Sequence, residues 1–242
     1  MRIHVIACRV FGRELSMRAA ESPNVIDVTW QPQGLHEDPK LLHKYLEDAL
    51  NKLYGEIDAG IVQRPDYIAL AYGLCSNGVV GLTARDIPIA VPRCDDCIGI
   101  FLGSQERYMK LFREKKGTYW LNSGWIENSF LFYEEREKKL YESYVRDFGE
   151  DNADYLMEIA NGWKREYKSC GYITGGVHDT EELRAVAKRF ADASGWSLDF
   201  YEGDASMLRE LTDGDFSRFF VCPPGHTIEA APGEKKMRAV IR

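Results

Sequence analysis

The sequence lacks any apolar run that approaches the roughly 18 residues of a membrane-spanning helix, so no such span is expected among its 242 residues. It lacks basic runs too. Acidic residues outnumber Lys and Arg by 38 to 31, for a net charge of −7. That balance argues against nucleic acid or an anionic membrane surface as a partner. The opening residues, Met1-Arg2-Ile3-His4-Val5-Ile6-Ala7-Cys8, read as a short strand and not as the extended apolar core of a secretory signal. With no sign of export, the expected location is the cytoplasm. The six cysteines are then read as reduced thiols and not as a disulfide framework. There is no Walker loop, no G-x-G-x-x-G turn and no second C-x-x-C pair that would make a structural zinc site. No internal repeat or low-complexity tract interrupts the chain.

What is present is an alternation of elements. Apolar, β-branched or aromatic runs predict strands at residues 2–8, 25–30, 67–72, 87–91 and 117–121. Helical spacing lies between them, over residues 9–22, from Asp38-Pro39 towards Gly55, and over 98–116 with a break at Gly103-Ser104. Asp38 is the expected N-cap with Pro39 at the first helical position, and Ser104 caps the piece after the break. The pattern β-α-β-α-β-α-β-α-β predicts a Rossmann-like parallel sheet with helices on both faces. Right-handed crossovers then bring every strand's carboxyl end to one edge. Residues 127–166 are charged and helical, with an interruption near 148–151. The remainder returns to α/β, with strands at 172–174, 196–201, 218–222 and 237–241. Asp179 with Glu182 resembles a capping box. The expected organisation is a Rossmann-like metal-site lobe over 1–125, a helical bridge over 126–166 and a smaller C-terminal α/β lobe over 167–242.

The chemistry-bearing residues gather at strand ends. Cys8, His36, Cys75, Cys94 and Cys97 all end predicted strands or lie in the loops beyond them. In an open parallel sheet these loops form the ligand-binding edge. Soft thiolates suit an iron–sulfur cluster or zinc. Three cysteines could hold a cluster with one iron left open, or a zinc together with His36 or water. Cys94-x-x-Cys97 is also a candidate redox pair, although Asp95-Asp96 between the thiols disfavours thiolates. The loop Gly73-Leu74-Cys75-Ser76-Asn77-Gly78 carries small residues that can present backbone N–H groups to an anion. Gly73, Ser76, Asn77 and Gly78 are therefore candidate cofactor-binding residues. Arg93 is another, by pairing with a substrate carboxylate or offsetting cluster charge, or else it pairs with Asp95 or Asp96. Tyr119, Trp120 and Trp125 could wall an apolar pocket or pack the core. Cys222 and His226 could complete the site if a second lobe faces the first. There is no recognisable acid–base constellation, so catalysis is left open.

Several segments together resemble a known family: Tyr72-Gly73-Leu74-Cys75-Ser76-Asn77-Gly78, Ile87-Pro88 through Pro92-Arg93, Asp96-Cys97-Ile98, Leu102-Gly103-Ser104, Gly117-Thr118-Tyr119-Trp120 and Pro223-Pro224-Gly225. They are similar to the family catalogued as domain of unknown function 1638, over most of the chain from Cys8 onwards. The resemblance implies an anaerobic setting near corrinoid-dependent methyltransferases and one-carbon metabolism. It also implies that Cys8, Cys75 and Cys97 are the characteristic cysteines, with Cys94 auxiliary. The expectation is an iron–sulfur protein acting on a small-molecule substrate or with corrinoid methyltransferase proteins. The alternatives are a mononuclear zinc–thiolate enzyme, or a non-catalytic accessory or carrier protein.

Overall fold

The computed structural model describes residues 1–129 and 134–241. In chain order the elements are β1 (Arg2–Cys8), α1 (Gly12–Glu21), β2 (Val25–Gln31), α2 (Pro39–Asp58), β3 (Tyr67–Ala71), β4 (Thr83–Ala84), β5 (Ile89–Pro92), α3 (Cys97–Phe101) and α4 (Gln105–Glu114). They continue with β6 (Thr118–Leu121), α5 (Ser123–Asn128), α6 (Glu134–Phe148), α7 (Glu150–Ala160), β7 (Ser169–Thr174), α8 (Glu181–Ser194) and β8 (Ser197–Glu202). The last are α9 (Ser206–Asp213), β9 (Phe219–Cys222), β10 (His226–Ala230) and β11 (Met237–Ile241). The chain forms two compact units, Met1–Lys110 with Gly203–Arg242, and Leu111–Glu202.

The first unit is built on a five-stranded sheet of order β2-β1-β3-β5-β9. The first four strands are parallel, and β9 runs antiparallel to β5 at the edge. Strand alternation sorts the side chains into two layers. Ile6, Ile68, Leu70, Ile89 and Val91 share a core with Leu42, Leu46, Leu50 and Leu53 of α2. Those four leucines recur at the spacing of one helix face. Asp38 caps α2 as expected, accepting from the N–H groups of Lys40 (3.0 Å) and Leu41 (3.2 Å). Ile3, Val5, Ala7, Ala69, Ala71 and Ala90 alternate with the first set and are fully buried as well. Helix α9 packs against β3 and also touches α1 and α3. The rings of Phe11 and Phe101 stack at 4.6 Å between centroids. A small antiparallel sheet, β11-β10-β4, completes the unit.

Chain direction across the sheet reverses at β1. The chain leaves β1 for β2 on one side and returns to β3 on the other. That reversal is a topological switch point, where the crossovers part and leave a crevice beyond the strands' carboxyl ends. Cys8 ends β1, and the loop carrying Cys75 follows β3. Both thiols therefore lie at the carboxyl edge beside the switch point.

The second unit is a parallel three-stranded sheet of order β6-β7-β8, with α8 as the crossover packed on β7 and β8. Helices α6 and α7 pair with each other. The unit's core contains Leu121, Ile126, Cys170, Tyr172, Ala187, Ala191 and Trp196.

Two expectations change here. The strand near 117–121 does not extend the first sheet. It opens the second, because Tyr119 stacks among Trp163, Tyr167, Phe190 and Trp196 and Thr118 Oγ1 meets Ser169 Oγ at 3.0 Å. Nor do residues 203–242 form part of a C-terminal lobe. They return to the first unit, where Phe219 and Phe220 of β9 bury beside β5. The sequence-read boundaries at 125 and 166 thus differ from the observed partition. The capping residue of α8 is Thr180, whose Oγ1 accepts from Leu183 N–H. Asp179 instead accepts from Tyr172 Oη (2.9 Å), Gly175 N–H (2.9 Å) and Arg184 (2.9 and 2.7 Å).

Candidate functional site

Register fixes the row of strand ends in the first sheet. Cys8 stands opposite Gln31 of β2, and Ala7 stands opposite Ala71 of β3. Tyr72, the residue after Ala71, is thereby the neighbour of Cys8 on its other side. The loop after β3 then folds against the loop after β5. Leu74 N–H donates to the Cys94 carbonyl (2.9 Å) and Cys75 N–H to the Asp95 carbonyl (2.8 Å). Gly73 lets the two backbones meet, since a Cβ there would stand 2.6 Å from Cys94 O and 2.7 Å from Asp96 N. It allows close approach between the two loops. Gly78 is likewise occupied, because a Cβ would run into the Leu42 side chain of α2.

Between these glycines the backbone is strained. Cys75, Ser76 and Asn77 have φ of 45°, 57° and 69°. L-residues pay about 1–2 kcal/mol each in this region, with Asn the more tolerant. Ser76 and Asn77 are exposed while Cys75 is buried. The left-handed turn drives the cysteine inward and leaves the polar pair in water. Strain of this kind gathers at functional sites.

All six cysteines are free thiols, and three of them share one neighbourhood. Burial pushes the Cys75 thiol far above its ordinary value, and the charges of Asp96 and Cys8 push it further. Burial, then Asp96, Cys75 and Cys8, does the same to Cys97. Cys8 is raised by burial, against relief from the Val10 backbone and the Tyr72 hydroxyl. Burial comes first at Tyr72 too, followed by Cys8, Cys75 and Cys97. The Tyr72 hydroxyl is buried with no oxygen or nitrogen partner, and the Cys8 thiol is the group it leans on. Cys97 begins α3, and Asp96 caps that helix through Oδ1 to Ile98 N–H (2.9 Å). Asp96 Oδ2 accepts from Tyr108 Oη (3.2 Å). Burial raises the Asp96 carboxyl even though these donors oppose it. Resting thiols in this setting are neutral, so the site holds no free thiolate nucleophile at neutral pH.

The remaining candidates have other partners, although Cys94 also raises the Cys75 thiol. Cys94 is fully buried and its Sγ faces Met207 Sδ of α9 at 3.7 Å. Burial, then Asp96 and Asp95, lifts its thiol to about 12. The Cys94-x-x-Cys97 pair thus lacks the low thiol pKa of a redox couple. Arg93 pairs with neither Asp95 nor Asp96. Its guanidinium donates to the Lys235 carbonyl (2.5 Å) and lies 5.6 Å from the Phe220 ring, while Asp95 takes Lys236 (2.5 Å). His36 is exposed in the turn after β2. Cys222 stands opposite Ile89, the first residue of β5. It therefore marks the amino edge of that strand, away from Cys94 and Cys97, and His226 follows it. Cys222 Sγ faces the His226 carbonyl at 3.4 Å, so neither residue completes the site. Tyr119 and Trp125 pack in the second unit's aromatic core, and Trp120 meets Tyr201 at 4.8 Å. Sequence reasoning gave Tyr72, Asp96 and Tyr108 no place in the site. Only the position of Tyr72, one step past a buried strand, could have marked it beforehand.

Among the described residues, no three His, Cys, Asp or Glu side chains stand as a ready metal-holding group, and no helix is long and apolar enough to cross a membrane. A family model described as "Protein of unknown function (DUF1638)" matches residues 30–212. That span contains Cys75, Cys94 and Cys97 but neither Cys8 nor the Pro223-Pro224-Gly225 turn. No curated protein and no solved structure matches the chain.

Proposed function

The chain belongs to the family of proteins of unknown function DUF1638, and from that premise we propose that it is a thiolate metal protein whose ligands are Cys8, Cys75 and Cys97. The observation that carries this reading is the convergence of three separate segments: Cys8 ends β1 next to β3, the Cys75 loop is hydrogen-bonded to the loop that leads to Cys97, and all three thiols act on the buried Tyr72 hydroxyl. The first unit reads as Rossmann-like, with its site at the β1/β3 switch point where such sheets take ligands. The donor set suits the group in chemistry. Buried sulfurs with few hydrogen-bond donors favour a soft cation over water or an oxygen-seeking ion. Binding must deprotonate the thiols. A bound iron–sulfur cluster would supply an open iron or a redox centre, and three protein ligands leave that position free. Asp96 and Tyr108 then steady the start of α3 that presents Cys97.

The test is anaerobic reconstitution with iron and sulfide, followed by visible spectroscopy. Wild-type protein is expected to take on broad thiolate-to-iron absorbance. Cys8→Ala, Cys75→Ala and Cys97→Ala should each lose it, while Cys94→Ala and Cys170→Ala keep it. Uptake of zinc alone by the same three thiols would make the centre a zinc site. No uptake of either metal by folded wild type would refute the proposal.

A further inference from the structure

The loops that carry Cys75 and Cys97 meet along a seam of two backbone bonds, Leu74 N–H to Cys94 O and Cys75 N–H to Asp95 O. The C-terminal hairpin, β10 and β11, is attached to both sides of that seam. On the Cys75 side the attachment is through backbone and core. Gly81 N–H donates to the Ile228 carbonyl (2.8 Å), and Ile228 N–H donates to the Leu82 carbonyl (2.9 Å). His226 and Thr227 pair with Ala84 and Thr83 of β4. Ile228 and Met237 belong to the core that contains Cys75 and Tyr72. On the Cys97 side only the turn between the two strands makes contact, and it does so through side chains. Arg93 donates to the Lys235 carbonyl (2.5 Å), and Lys236 Nζ donates to Asp95 Oδ1 (2.5 Å). Asp95 is held from its other side by Gln105 of α4, which donates to Oδ2 (2.7 Å) and accepts from the Asp95 N–H (2.8 Å). The Cys75 loop thus goes with the hairpin and the Cys97 loop with α4, and the turn is a tie across the seam.

The tie has the character of a device that can let go. Lys236 holds φ 57° and ψ −42°, a region that residues with a Cβ avoid. Such a conformation persists where the surroundings enforce it. Met237, the next residue, is buried, whereas Pro232, Gly233 and Lys235 are exposed. Lys236 therefore marks the border between an anchored strand and an open turn. Its side chain is 20% exposed and that of Asp95 is 38% exposed. An ion pair so close to water is weak and sensitive to salt. It can bias the turn without being needed for the sheet beneath. We propose that the β10–β11 turn is a latch on the thiol site. Closed, it holds the Cys97 loop against the Cys75 loop through Lys236 and Arg93. Released, it lets the seam part, so that a thiol reagent or an incoming metal ion reaches Cys75. The latch rests on the proposed thiol site for its purpose, and Lys236 is a positioning residue in it, not a ligand.

The experiment uses the full chain, reduced and metal-free, with two readouts at the seam. Hydrogen exchange of the Leu74 and Cys75 amides, followed by NMR on ¹⁵N-labelled protein, reports the bonds that cross it. Alkylation of Cys75 by iodoacetamide, quantified by mass spectrometry, reports the thiol. We expect Lys236→Met to speed both by roughly threefold to tenfold and Lys236→Arg to return them to wild-type rates. Raising NaCl to about 1 M should speed wild type and leave Lys236→Met unchanged; the wild-type half of that comparison needs no variant. The rates should stay flat in low urea, as for any local opening, and the amides of Leu46 and Leu50 in α2 should keep their wild-type exchange. A lysine with a merely structural role would speed the α2 amides along with those at the seam and lower the urea midpoint. That result, seam rates in Lys236→Met equal to wild type, or no salt response in wild type would each overturn the latch. None of these readouts involves metal. If wild type takes up neither iron nor zinc while the seam responds as expected, the ligand reading falls and the latch stands. Normal metal uptake with an unresponsive seam is the reverse.

Discussion

Gly73→Ala is the sharpest mechanical test of how the site is assembled. The added methyl would stand 2.6 Å from Cys94 O, 2.7 Å from Asp96 N and 2.9 Å from Asp96 Cα. All three are backbone atoms, so no rotamer change relieves the clash. The loops must part, and the two bonds that join them, Leu74 N–H to Cys94 O and Cys75 N–H to Asp95 O, lengthen together. Overpacking against a fixed neighbour costs about 1–3 kcal/mol, and each backbone bond is worth about 1 kcal/mol net. The expected loss is about 3 kcal/mol, or roughly 6–12 °C in melting temperature for a chain of this size. Gly55 is the control. It lies within α2, where an added methyl would meet no atom inside 4 Å, so Gly55→Ala is expected to stabilise by about 0.5–1 kcal/mol. Urea unfolding followed by tryptophan fluorescence reads both. A Gly73→Ala protein within about 0.5 kcal/mol of wild type would mean that the two loops do not meet as described.

Other expectations follow from the same neighbourhood. Cys75 and Cys97 have folded pKa values raised above those of unfolded thiols, so their contribution is intact below about pH 8.5 and is lost as pH rises above it. Metal-free protein should lose stability at about 1.4 kcal/mol per pH unit for each of the two thiols over that window; a flat urea-unfolding profile between about pH 8.5 and 10 would contradict their burial. Ser76→Gly removes a side chain from an exposed residue at φ 57° and is expected to leave stability equal or raise it by up to about 1 kcal/mol. A loss above about 1 kcal/mol in thermal unfolding would show that the Ser76 side chain holds the turn. Cys94→Ala gives up the contact with Met207 and should cost about 1 kcal/mol while leaving metal content unchanged, since its thiol faces α9.

Much of the frame was legible in the sequence because local signals agreed with tertiary packing. Asp38-Pro39 started α2 as read, since the carboxylate satisfies two N–H groups that the first turn leaves open. Ser104 Oγ accepts from Arg107 N–H at 3.0 Å, which confirms the break between α3 and α4. The mixed α/β class and the parallel strands of the first half followed from hydrophobic runs that alternate with helical stripes. Sheet membership was less accessible. A buried strand such as β6 reads the same in either sheet, and only the aromatic partners of Tyr119, brought in from residues 163–196, decide where it pairs. The antiparallel return of β9 rests on contacts with β5, far earlier in the chain and beyond the reach of any window.

At the candidate site, strand-end position was legible in the sequence and the packing around it was not. Strand-end position drew attention to Cys8, Cys75 and Cys97. The same reasoning could not tell Cys94, which turns toward α9, from Cys97 three residues on. Gly73 and Gly78 looked like ligand-facing residues because loop glycines often are. Only the distances to Cys94, Asp96 and Leu42 show that backbone and helix already fill those spaces. Tyr72 gave no compositional signal, since its interest lies in a buried hydroxyl set against the Cys8 thiol.

The most direct measurement of the central claim is iron, zinc and acid-labile sulfide content per chain in protein purified without oxygen, for wild type and for Cys75→Ala. The account predicts stoichiometric iron with matching sulfide in wild type and its loss in the variant, at unchanged fold by circular dichroism. Wild-type protein that is folded yet free of stoichiometric metal, or a Cys75→Ala variant that retains the full metal content, would contradict it.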